Sequence, residues 1–151
     1  MAMYRPLVVL SYVFNYAIRP DRAFSFILFN LLLHAGVSLS VFLLLRCWSG
    51  DLWGAWGAAA LFAGHPINSQ VVNYVSSRSE SMAALGVLFS LWFALKDRQR
   101  ASWISYGLGL LAKSQAIVLL PLMLVVRPIR LGSVRPDLPS GLMSVLFLAV
   151  I

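Results

Sequence analysis

From Ala23 to Leu45 the chain runs for 23 residues without a formal charge. Wound as an α-helix at ~1.5 Å per residue, that run measures about 34 Å, enough to cross the hydrocarbon of a bilayer. A soluble domain of 151 residues has little interior in which to hide it. Composition points the same way. Apolar residues make up 60% of the chain and charged residues 11%, where soluble domains carry ~25% charged residues. These figures exclude a soluble globular enzyme, a disordered tail and a disulfide scaffold, and the single Cys47 permits no internal disulfide. The expected fold class is all-α: a polytopic transmembrane helix bundle with short or interrupted helices.

The remaining apolar stretches are shorter. Leu52–Gly64, Met82–Leu95, Ser102–Ala112 and Ala116–Val126 each hold 11 to 14 residues, below the ~17–25 that usually span. Lys113 divides the last two. Backbone at membrane depth must be hydrogen-bonded within its segment or face protein or a wet cavity. Such lengths fit helices that enter partway or meet around a cavity, and equally tilted helices with polar ends. Residues 1–22 are mixed, aromatic and basic, and read as an interfacial segment at the outer face. Residues 23–151 read as a multi-pass domain. A Pro/Gly/Ser loop over 131–141 leads into Leu142–Ile151, a last span that is expected to be incomplete as written.

The net charge of +7 does not mark a nucleic-acid binder, because the basic residues fall in short segments between apolar runs. If Ala23–Leu45 runs outside to inside, seven basic residues are inner (Arg46, Lys96, Arg98, Arg100, Arg127, Arg130, Arg135). Five are outer: Arg5, Arg19, Arg22, Arg78 and Lys113. The Lys96–Arg100 cluster makes its own side the cytoplasmic one. Residues 1–22, His65–Glu80 and Lys113 then share the opposite face.

The polar residues concentrate on that face. Pro66 removes a backbone donor and biases His65 away from helix, so the preceding span should end there. Arg78 has the planar fork that grips a phosphate oxygen pair; alternatively Arg78 and Glu80 form a surface ion pair of little weight. Asn30 and His34 are four apart and share one helix face, suited to an interhelical hydrogen bond or to the bundle interior. A Lys at membrane depth costs roughly 2.5–3.5 kcal/mol on insertion scales, so Lys113 needs a partner, a route to the interface or a wet site. Trp48, Trp53 and Trp56 read as interfacial anchors. There is no P-loop, HExxH motif, Gly-rich phosphate loop or hydrolase triad. No cofactor and no metal ligand set is read from the sequence.

Several short elements occur in one order: Tyr4-Arg5-Pro6-Leu7, Phe29-Asn30-Leu31-Leu32-Leu33-His34, His65-Pro66 with Arg78-Ser79-Glu80, and Ala112-Lys113-Ser114-Gln115 leading to Leu120-Pro121. In this order they resemble the membrane part of the transmembrane-and-TPR O-mannosyltransferases and their bacterial relatives, within the GT-C superfamily. The resemblance implies a multi-pass glycosyltransferase of the bacterial inner membrane or endoplasmic reticulum. Its donor would be a polyprenyl-phosphate sugar, and the sugar would pass with inversion to a protein or cell-surface acceptor hydroxyl at the non-cytoplasmic face. The resemblance makes Arg5, His65, Arg78 and Lys113 the candidates for phosphate or sugar contacts, with Tyr4, Asn30, His34 and Glu80 in support. It implies as partners membrane lipid, the lipid-linked sugar, a protein or glycan acceptor and a TPR domain downstream.

Two features depart from the family pattern. The family's first span and acidic catalytic motif precede the Tyr-Arg-Pro-Leu element, so the catalytic base is expected upstream of Met1. Ser114 and Gln70 stand where the family often has Glu. Two other functions fit the residues: a transporter or lipid-carrier flippase, since interrupted helices with buried charge also mark transport sites, and a non-catalytic anchor for a TPR domain.

Overall fold

A computed structural model describes residues 5–18 and 23–118. Among the described residues six α-helices run in order: α1 (Pro6–Ile18), α2 (Ala23–Ser49), α3 (Leu52–Gly64), α4 (Ser69–Asn73), α5 (Arg78–Leu95) and α6 (Gln99–Ala112). Single 3-10 turns cover Pro66–Asn68, Val75–Ser77 and Ser114–Val118. No strand occurs among the described residues, in keeping with the all-α expectation. The chain divides into a unit Met1–Ile117, to which this description applies, and a unit Val118–Ile151. Most of Ala116–Val126 and all of Leu142–Ile151 lie outside the described residues.

The uncharged run becomes α2, which continues past Leu45 to Ser49. Three of its hydroxyls are satisfied without leaving the helix: Ser38 donates to the His34 carbonyl at 2.9 Å, Ser40 to Val37 at 2.7 Å and Ser49 to Leu45 at 2.9 Å. That arrangement lets serine sit in an apolar helix with no stranded donor. α2 is the one described helix long and apolar enough to cross a membrane. Phe24, Leu28, Leu31, Leu32 and Leu39 lie on its exposed surface, so an apolar surrounding has to cover them. The helix stops at Gly50, whose φ of 74° supplies the left-handed cap. Asp51 then starts α3 by accepting from the Trp53 and Gly54 amides, both at 3.0 Å. Trp53 and Trp56 stand 78% and 62% exposed on α3, as anchors would.

α3 ends at Gly64, with His65 extended ahead of Pro66, as the proline requires. α5 begins earlier than the apolar stretch Met82–Leu95 suggests. α5 takes in Arg78, Ser79, Glu80 and Ser81 as its first turn. α5 packs most extensively on α6, then on α2. The α5–α6 contact is made of small residues. A Cβ on Gly86 would sit 2.5 Å from the Gly109 Cα and 2.8 Å from the Ser105 carbonyl oxygen, so the two backbones touch. Further along the same contact, Ser90 and Ser102 share a hydroxyl bond at 3.0 Å, and Ser102 donates to the Ser90 carbonyl at 2.9 Å. The hairpin turns at Asp97, a non-glycine residue at φ 58°.

The segment expected to be interfacial contains a helix. α1 opens on Pro6, well placed at a first helical position, where the missing amide hydrogen is not needed. Its Val8 packs into a small buried cluster with Ala83, Ala112 and Ala116. The opposite side of α1, with Val9, Leu10, Val13 and Phe14, is exposed. An apolar helix with one side docked was not legible from its mixed composition, because Arg5, Arg19 and Arg22 lie just outside its ends.

Candidate functional site

The first turn of α5 is where the distant polar residues meet. Arg78, Ser79 and Glu80 are consecutive, and each reaches beyond α5. Arg78 reaches α1 and α2, Ser79 accepts from Arg5, and Glu80 pairs with the lysine at the end of α6.

Arg78 is completely buried. Its Nε donates to Asn30 Oδ1 at 3.0 Å. Nη1 lies 3.3 Å from the Ser11 carbonyl, the Ser11 hydroxyl and Asn15 Oδ1, and Nη2 donates to the Phe26 carbonyl at 3.3 Å. Three aromatic rings enclose the guanidinium: its Cζ is 4.4 Å from the Phe29 centroid, 4.8 Å from Tyr12 and 5.6 Å from Phe26. Among the described residues no carboxylate touches it. Removing a cation from water costs several kcal/mol. Here only neutral acceptors and ring faces offset that loss, and both suit the planar, weakly hydrated guanidinium.

Asn30 is also fully buried, and it ties the neighbouring loop to the same point. While its Oδ1 accepts from Arg78, its Nδ2 donates to the Val72 and Tyr74 carbonyls, both at 3.3 Å. Tyr12 fixes the next residue of that loop, donating to the Val75 carbonyl at 2.7 Å. His34, one turn along from Asn30, bonds through Nε2 to the Ala63 carbonyl at 3.1 Å and stacks on Phe62. The shared face of Asn30 and His34 thus binds the bundle together through backbone carbonyls.

The other cations are less enclosed. Arg5 donates to Ser79 Oγ at 3.3 Å from the residue just before α1. Lys113 caps α6 in an extended conformation, so the helix breaks where the lysine divides the apolar stretches. Its Nζ is 2.9 Å from Glu80 Oε1, with the lysine side chain 12% exposed and the glutamate 56%. This corrects the sequence alternative of an Arg78–Glu80 ion pair. At a helix start, consecutive residues diverge by about 100°, so Arg78 turns inward while Glu80 turns out.

His65 is exposed, its Nδ1 accepting from the Ile67 amide at 3.3 Å. The bonds drawn here join Arg5, Asn30, Arg78, Glu80 and Lys113 around one helix start and leave His65 apart, at the end of α3 beside Ala63. Tyr4 lies outside the described residues. Among the described residues no three His, Cys, Asp or Glu side chains come together as a metal set.

Sequence reasoning missed Ser11 and Asn15. The signal was present: two polar residues four apart on an otherwise apolar helix share a face. Ser79 was missed as well, since a hydroxyl between an arginine and a glutamate draws no notice by itself.

No family model matches the chain, and no solved structure matches it. Curated sequences do. Mouse protein O-mannosyl-transferase TMTC2 is 36% identical over 93 residues, covering 62% of this chain and 11% of the mouse protein. The Drosophila melanogaster Tmtc2 is 34% identical over 131 residues, covering 78% of this chain and 14% of its own length. Mouse protein O-mannosyl-transferase TMTC3 is 35% identical over 82 residues, or 54% of this chain and 9% of the relative. The chain therefore spans between 9% and 14% of the length of these relatives. Over most of its length it is a homologue of one segment of the TMTC2 and TMTC3 protein O-mannosyl-transferases.

Proposed function

We propose that this chain forms part of the membrane domain of an inverting O-mannosyltransferase-like enzyme that takes its sugar from a polyprenyl-phosphate carrier. The acceptor is a hydroxyl of a protein or cell-surface molecule at the non-cytoplasmic face. The names of the relatives support transfer of mannose to protein. The observation that carries the reading further is the meeting of Arg5, Arg78 and Lys113 around the first turn of α5.

The physical logic is that of a leaving group. As the bond from the anomeric carbon to the phosphate oxygen breaks, negative charge grows on the lipid phosphate. Fixed positive charge placed there lowers the barrier. Arg5 and Lys113 lie toward the outside of the cluster and are the proposed phosphate contacts, with His65 proposed for sugar or acceptor. Arg78 contributes its charge from behind. The amide hydrogens at the start of α5 add a partial positive charge of the same sign. Glu80 pairs with Lys113 until the phosphate competes for the lysine. The base that takes the acceptor proton is proposed to lie outside this segment. The domain is proposed to be multi-pass, with α2 as its longest span.

The test is mannose transfer. The complete protein containing this segment, reconstituted in liposomes with polyprenyl-phosphate mannose and an acceptor polypeptide, should yield mannosylated product. Folded protein that transfers no mannose under these conditions would remove the reading.

A further inference from the structure

Arg78 has no carboxylate among its described partners and no exposed surface. Its partners on α1, Ser11 and Asn15, are one turn apart, and Arg5 lies at the start of the same helix. Arg5 in turn donates to Ser79, the residue after Arg78. From Arg5 to Asn15, then, these bonds from α1 land on the same turn of α5, and α1 lies across the start of that helix.

We propose that Arg78 is a positioning residue: its guanidinium clamps α1 at the start of α5 and so sets Arg5 against Ser79, on the turn from which Glu80 reaches Lys113. The donor phosphate meets Arg5, not Arg78. This rests on the transferase reading for the ligand, while the clamp itself stands on geometry. A lysine cannot replace it, because one ammonium cannot bond Asn30, Asn15, Ser11 and the Phe26 carbonyl together while lying flat between rings. The proposal separates two roles that a list of basic residues would merge.

Two readouts on the complete protein test it. The first needs no activity. In a cysteine-free background that includes Cys47→Ser, Arg5→Cys and Ser79→Cys are joined by a short bifunctional thiol reagent. Cross-linking should fall several-fold when Arg78→Lys or Asn15→Leu is added. The second is kinetic. Arg5→Ala should raise KM for polyprenyl-phosphate mannose about tenfold or more, the size expected for a lost charge-assisted bond. In an Arg78→Lys background the same Arg5→Ala should add almost nothing, because Arg5 is already displaced. Asn15→Leu, at a residue bonded to Arg78 and the Ser25 carbonyl, should reproduce the Arg78→Lys defect and keeps the test open if Arg78→Lys fails to fold. Undiminished cross-linking in both variants would overturn the clamp. Multiplying effects of Arg5→Ala and Arg78→Lys would overturn it too, by making Arg78 a direct contact. Reduced cross-linking with donor KM unchanged by Arg5→Ala would leave the clamp and overturn the transferase role of Arg5.

Discussion

Glu80 Oε1 lies 2.9 Å from Lys113 Nζ and joins the first turn of one helix to the break at the end of another. The two residues are 33 apart in the chain. The carboxylate is the more exposed partner, so an arriving anion would compete with Glu80 for the lysine.

Lys113→Ala should therefore lower mannose transfer by roughly a hundredfold, the usual size for removing one electrostatic stabiliser of a developing charge. Its effect on stability should be small, about 0.2–1 kcal/mol, because Glu80 is well exposed. Glu80→Gln should do the reverse at low donor concentration and reduce KM by freeing the lysine. Initial rates across donor concentration check both. An unchanged rate in folded Lys113→Ala would take the lysine out of the site.

Removing Asn30 should loosen three attachments together. Asn30→Ala leaves Arg78 Nε without its acceptor and deprives the Val72 and Tyr74 carbonyls of their donor. A loss of about 1–3 kcal/mol follows for each buried group left unpaired. Thermal unfolding in detergent, compared with His34→Ala, would show the larger fall for Asn30→Ala.

The α5–α6 contact depends on the absence of side chains. Gly86→Ala places a methyl against Gly109 backbone and should destabilise by about 1–3 kcal/mol, with Gly86→Leu worse. Gly107→Ala, where a Cβ meets open space, should be harmless and serves as the control. Equal midpoints for the two alanine variants would contradict the close approach.

Asp97 holds a left-handed backbone at φ 58° in the α5–α6 turn. Asp97→Val should destabilise by about 1–2 kcal/mol, since a branched side chain resists that conformation, whereas Asp97→Gly should be tolerated. Denaturant midpoints of the two variants check the difference.

The same turn bears on orientation. With Lys96–Arg100 in the cytoplasm, a cysteine at Arg98 and one at Ser114 should react with an impermeant thiol reagent from opposite sides of the membrane. Labelling of both from one side would end the proposed topology.

Much of the helix pattern was legible from local rules. The uncharged run gave α2, Pro66 ended α3, and Lys113 ended α6. Arg5 and Lys113 both reach the turn Arg78-Ser79-Glu80. What could not be read was which partner each residue takes. Arg78 stands two residues from Glu80, so local spacing suggested an ion pair. Its acceptors lie 48 to 67 residues away, and only the packing of α1 and α2 brings them near. The role of α1 was hidden for the same reason. Its helix is set by local sequence, but its place is set by Ser11 and Asn15 meeting an arginine far down the chain.

That distance governs the order of assembly. The hairpin of α5 and α6 is closed by a short turn, so it can form as soon as both helices have left the ribosome. α1 is made much earlier, yet its anchoring partner is residue 78, which emerges 63 positions after Asn15. During that interval the helix has no clamp, and its valines and phenylalanine have only lipid or a chaperone to cover them. α1 is thus made long before its anchor, and it stays unclamped until Arg78 appears.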